Sequence, residues 1–175
     1  MKKMKNILLY LFVGIVAFIY FLPRYNLYFE LENYLSTQKI IISNERLDDS
    51  GFSLHISEGK LYFGDLHVAD LDNAEIDTWL LYNRFEAQGV HISDAMNQMA
   101  SGSIEKLALT QNIFNPLHVS IEAEGDFGTL QGGVDLLDQH LVLVLEPSQT
   151  LTKLNPFWLN RFKKTEEGYR FETQY

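Results

Sequence analysis

The sequence predicts a mainly β protein, in which a single N-terminal transmembrane helix precedes a curved antiparallel β-sheet domain, a meander with one or two short helices. Three observations predict it. One uninterrupted apolar run, residues 7–22, follows three lysines. Beyond Ile40 the apolar residues recur with a period of two instead of 3.6, the spacing of strands with one buried face. Turn-forming residues punctuate these runs at intervals too short for helical crossovers, so successive strands pair as antiparallel neighbours.

The predicted membrane anchor is built from Ile7, Leu8, Leu9, Leu11, Phe12, Val13, Ile15, Val16, Phe18, Ile19, Phe21 and Leu22. Sixteen helical residues reach about 24 Å, short of a hydrocarbon core of about 30 Å. Lys5 and Arg24 snorkelling to the surface, with Tyr20, Tyr25 and Tyr28 at the interface, would make up the difference. A secretory signal shares the charged start and apolar core, but its cleavage needs small residues near the end of that core. Between Ala17 and Ser36 there is no Ala, Gly or Ser, so the segment is expected to stay attached. Lys2, Lys3 and Lys5 precede it and only Arg24 follows closely, which places the N-terminus in the cytoplasm and the remainder across the membrane.

The chain divides into a cytoplasmic start and anchor at 1–24, an amphipathic connecting helix at 25–38, and a β-rich domain at 39–175. In the connecting helix Leu27, Leu31, Tyr34 and Leu35 recur at helical spacing, with Glu30 and Glu32 early, where they favour the helix dipole. Its expected role is to cover one end of the core. Strands follow: Leu54 and Ile56 alternate with Ser53, His55 and Ser57, and residues 74–82 read as one strand, with Ala74, Ile76, Thr78, Leu80 and Tyr82 on a single side. Val119, Ile121 and Ala123 oppose His118, Ser120, Glu122 and Glu124, while Leu130, Val134 and Leu136 oppose Thr129, Gln131 and Asp135. Residues 141–145, LVLVL, are apolar on both sides and read as a central strand or one lining an apolar groove. Turns are expected at 48–51, 58–59, 70–73, 115–116, 125–128 and 138–139, and helical pieces at 94–100 and within 148–162.

Composition excludes several functions. The whole chain carries −9, and without the three leading lysines eleven basic residues face 23 acidic ones, which argues against nucleic acid as a partner. Cysteine is absent, so disulfides and thiolate chemistry are excluded. The five histidines are spread singly, and the polar group Asp65, His67, Asp70, Asp72 and Asn73 divides between two faces of a strand, a poor ligand geometry. No nucleophile elbow, phosphate-cradling loop or zinc-protease helix occurs. No catalytic residue, metal ligand or cofactor is assigned, and the chain reads as a non-enzyme.

The anchor, the segment LYFELENYLSTQKIIIS, the strands GKLYFGDLHVADL and GTLQGGVDLLDQHLVLVLEPS, and the closing FKKTEEGYRFE together resemble the general secretion pathway protein N (GspN) family, with 128–147 and 163–172 the best local pieces. The resemblance implies a bitopic inner-membrane component of the bacterial type II secretion system, with a periplasmic β-rich domain contacting other inner-membrane components and the outer-membrane secretin. The glycine and leucine strand pattern and LVLVL also resemble AsmA-like domains. That likeness implies an apolar groove for lipid, and it makes the direction of Val142 and Val144 the feature to watch. For a protein partner the last strand offers an edge at Tyr169, Phe171 and Tyr175. A reporter fused after residue 60 should be active only on the non-cytoplasmic side; activity in the cytoplasm refutes the orientation.

Overall fold

In the computed structural model, the described residues are 2–20, 24–79, 81–93, 102–154, 157–166 and 168–175. Helix α1 (Lys2–Tyr20) takes up most of the apolar run, whose last residues, Phe21 and Leu22, lie outside the described residues. Among the described residues, no helix is long and apolar enough to cross a membrane.

Helix α2 (Arg24–Thr37) coincides closely with the expected connecting helix, but it buries a different side. Arg24, 1% exposed, and Tyr28, one turn later, face inward, whereas Leu31 and Tyr34 are exposed. The Arg24 guanidinium lies 3.9 Å from the Asp49 carboxylate and donates to the Thr78 carbonyl at 3.5 Å. Tyr25 donates its hydroxyl to the Leu47 carbonyl at 3.4 Å. Arg24 and Tyr28 are thus committed to packing against the sheet. The physical reason is that strand ends supply both a carboxylate and a carbonyl to a buried guanidinium, which leucine spacing cannot anticipate.

Eleven strands then form one sheet. They are β1 (Ile40–Ser43), β2 (Arg46–Asp49), β3 (Ser53–Phe63), β4 (Leu66–Thr78), β5 (Tyr82–Ile92), β6 (Ser103–Asn112), β7 (Asn115–Gly125), β8 (Gly128–Asp135), β9 (His140–Pro147), β10 (Lys163–Thr165) and β11 (Gly168–Gln174). Every pairing is antiparallel, in the order β1-β3-β4-β5-β6-β7-β8-β9-β11-β10. β2 also pairs β3, in the same register as β1, so the two are halves of one edge strand interrupted at Asn44 and Glu45. Helix α3 (Gln149–Leu154) and a 3₁₀ turn (Phe157–Arg161) fill the β9 to β10 connection, where a turn or two of helix is expected. The helical reading of 94–100 lies outside the described residues.

One line of irregularity crosses the sheet. Inward residues step by two along each strand except at one level, where they step by three: Ile56 to Gly59, Leu71 to Ala74, Ala87 to Val90, and Ile104 to Leu107. The inserted residues are Glu58, Asp72, Gly89 and Glu105, and no ladder pair joins them although the register continues on both sides. Between β6 and β7 the register itself shifts there, so the line ends as a bulge, which bends a strand locally. Glu58 (φ 59°) and Gly89 (φ 66°) adopt left-handed backbone. The Asp72 carboxylate occupies the place of a side chain at Gly89.

This line corrects two expected turns. Residues 58–59 lie inside β3 and 70–73 inside β4, because a phase slip in the apolar pattern looks the same as a chain reversal. Two real reversals carry a weaker signal. Gly64 (φ 61°) and Asp65 close β3 onto β4, and Trp79 and Tyr82 exchange backbone hydrogen bonds of 2.8 and 3.4 Å that end the strand expected over 74–82. The segment Trp79-Leu80-Leu81 has no glycine, proline or asparagine to announce it. Leu136, expected inward, is exposed in the β8 to β9 turn.

Leu54 is fully buried under α2, so Leu54→Ala should lower unfolding free energy by about 2–5 kcal/mol in denaturant titrations of the detergent-solubilised chain. Gly89→Ala should cost about 1–3 kcal/mol through its backbone and the Asp72 contact, and an unchanged midpoint refutes the constraint at that level.

Candidate functional site

The registers align side chains into rows that run across the sheet. On one face Leu47, Ile56, Ala74, Ala87 and Leu107 are successive cross-strand partners, and the row continues through Ala123, Leu130, Leu145 and Tyr169. Nine strands thus contribute one apolar line. On the other face Asp48, His55, Glu75, Glu86, Ala108, Glu122, Gln131, Val144 and Arg170 align in the same way. One face is apolar and the other mostly polar.

Helical segments cover the apolar face in two places. Under α2, Tyr28 packs with Leu54, Ile56, Leu71, Ala74 and Ala87. At the other edge Leu151 and Leu159 pack on Leu145, with Leu130, Phe162 and Tyr169 around them. Between the two clusters lie Leu109, Ile121 and Leu143, with Val119, Val134 and Leu141 beside them; all are half-buried and belong to neither cluster. Gly132 sits between Ile121 and Leu143 in their row, where a side chain would collide with the Val142 carbonyl. An aliphatic strip can hold an apolar partner group by burial, at about 25 cal/mol per Å².

The two sides of LVLVL separate onto these faces. Leu141, Leu143 and Leu145 join the apolar face. Val142 and Val144 lie on the polar face beside Gln131, Gly133, Arg170 and Glu172, so they line no apolar groove.

The polar face is organised by ion pairs. Glu86 pairs with Arg84 and with Lys106, at 3.5 Å, and accepts from Gln88 at 2.7 Å. Burial alone would raise its pKa, but the Gln88 hydrogen bond and the Arg84 and Lys106 charges hold the carboxyl below its ordinary value. Four histidines meet carboxylates: His55 with Glu75 at 3.6 Å, His67 with Asp70 at 3.1 Å, His91 with Asp72 at 3.2 Å, and His140 with Glu172 at 2.9 Å. His140, with Arg170, holds the Glu172 carboxyl below its ordinary value. The polar group at 65–73 therefore splits, His67 onto Asp70 and Asp72 onto His91. Among the described residues no group of three or more His, Asp or Glu could hold a metal ion.

The expected partner edge is only half an edge. Tyr169 packs in the cluster around Leu145 and lies opposite Lys164 of β10. Phe171 is half-buried, its ring 5.5 Å from that of Phe162, and stands where β10 no longer pairs β11. Tyr175, beyond β11, is exposed. Of the anchor residues, Ile7, Leu9, Leu11, Phe12, Val13 and Val16 are exposed on α1. The sequence places Val119, Ile121, Val134, Leu141 and Leu143 on strands without joining them and does not single out Leu109, because alternation reveals a face but not which strands lie side by side.

The fold defines a single-sheet antiparallel β protein with one apolar and one polar face. No protein-family model matches the chain, and neither a curated protein nor a solved structure matches it.

A lowered carboxyl pKa stabilises the fold above the unfolded value, and that stability is lost as the pH falls through the folded one. Glu86 should therefore contribute fully at neutral pH and lose its contribution below its ordinary value of 4.5. Glu86→Gln should lower stability at pH 7 and flatten the acid limb of a stability-against-pH curve. An unaltered limb refutes the assignment.

Proposed function

We propose that the chain is a non-enzymatic, single-pass inner-membrane protein that holds a periplasmic binding domain beside the assembly it serves, a type II secretion apparatus. Residues 7–22 form the anchor, and the sheet is the working part. The observation that carries the reading is the strip at Leu109, Ile121 and Leu143: a half-buried aliphatic surface, outside both packed clusters, on a sheet whose other face is polar. Such a surface is suited to an apolar element of a protein partner, and the outer side of β11 beyond Arg170, past the reach of β10, is suited to an added strand. The secretion assignment rests on the resemblance to the GspN family.

A second reading, AsmA-like lipid binding or transfer, is favoured by the same strip, because all six of its side chains are aliphatic. A photoreactive residue at Ile121 in the membrane-embedded chain separates the two. Adducts with other inner-membrane secretion components or the secretin support the first reading, and lipid adducts support the second. Absence of both refutes the strip as a binding surface.

A further inference from the structure

Antiparallel pairing sends alternate turns to opposite ends of the sheet. The turns after β2, β4, β6 and β8 lie at one end, together with the C-terminus, and those after β3, β5 and β7 lie at the other. β4 has 13 residues, so the two ends stand roughly 40 Å apart at about 3.3 Å per residue. Their compositions differ. The first end exposes Trp79 and Leu81 in one turn, Ile113 and Phe114 in the next, and Leu136 and Leu137 in the third, with Phe114 at 89% and Leu137 at 73%. At the opposite end, among the described residues, exposed large apolar side chains gather at the turn between β3 and β4, at Phe63 and Leu66, with Ile41 of β1 beside them.

Three neighbouring turns with bare apolar tips form a patch of the kind that soluble surfaces avoid. Two tips also satisfy their own backbone. The Asn112 side chain accepts from the amides of Phe114 and Asn115, at 3.0 Å each, and the Asp135 side chain accepts from those of Leu137 and Asp138, at 3.0 and 3.1 Å. Amides paired in this way lose little when water is withdrawn.

Helix α2 begins at this same end. Arg24 is fixed there by Asp49 and Thr78, the last residues of β2 and β4. Tyr20, the last residue of α1, is four Cα steps away, at most about 15 Å. We propose that the Trp79 end of the sheet rests in the interface of the lipid bilayer, with Trp79, Ile113, Phe114 and Leu137 inserted among headgroups and upper acyl chains. This rests on the reading of residues 7–22 as a membrane anchor. The acidic net charge makes the contact one of apolar burial, so it should form on zwitterionic lipid. The sheet then stands on the membrane with the aliphatic strip just above it, since Val134 and Leu141 flank the β8 to β9 turn.

The chain has no cysteine, so Phe114→Cys and Phe63→Cys each accept a single nitroxide label at an exposed position. The full chain is reconstituted in phosphatidylcholine vesicles, and each label is assayed by electron paramagnetic resonance for collision with oxygen and with a water-soluble nickel complex. The label at 114 should favour oxygen and the label at 63 should favour nickel. A chain retained in the vesicles after alkaline carbonate, with the two labels alike, overturns the proposal while leaving the anchor standing. A chain that carbonate strips away overturns the anchor and this proposal with it.

Discussion

A sheet one layer thick must put its apolar side chains on a single face, and everything else in this protein follows from keeping them there across nine strands. Antiparallel pairing carries Leu47 to Ile56, on to Ala74, and eventually to Tyr169 as successive cross-strand partners. A shift of one residue in any strand would turn its apolar set toward water. The line at Glu58, Asp72, Gly89 and Glu105 makes the cost visible. Neighbouring strands take the extra residue at the same level, so the phase slips together and the rows stay joined. Gly89 makes this possible by adopting left-handed backbone under the Asp72 carboxylate.

Covering such a face is the second demand. Among the described residues, Arg24 and Tyr28 of α2 and the pair Leu151 and Leu159 bury deeply there, toward its two edges. Arg24 belongs to the first of these contacts, where it ties the start of α2 to the ends of β2 and β4. The guanidinium fixes how the residues leaving the apolar run enter the sheet. The strip between the two covers is left for something other than the described helices to bury, and on that strip the functional proposal stands.

The polar face works differently. Its carboxylates outnumber its cations, yet Glu86 is held by Arg84, Lys106 and Gln88, and four histidines lie against acids. These contacts bridge neighbouring strands or neighbouring positions along one. They limit repulsion within an acidic sheet without gathering ligands at one point.

Alternation at Leu54 and Ile56, or at Val119, Ile121 and Ala123, was enough to reveal strands and their apolar sides, because a two-residue period is a local property of the chain. Lysines before residues 7–22, the missing cysteines and the acidic balance were equally local. The slip at Asp72, the reversal at Trp79, the burial of Arg24 and the two fates of LVLVL were not. Each depends on a group far away in sequence: Gly89 beneath Asp72, Tyr82 bonded to Trp79, Asp49 beside Arg24, and Arg170 beside Val144. The sequence by itself determined the strand content, the apolar period and the charge. Only the tertiary structure decided which strands are neighbours, and therefore where half-buried residues join into a surface and where exposed turns gather at one end, because register and adjacency come from long-range pairing that no local pattern encodes.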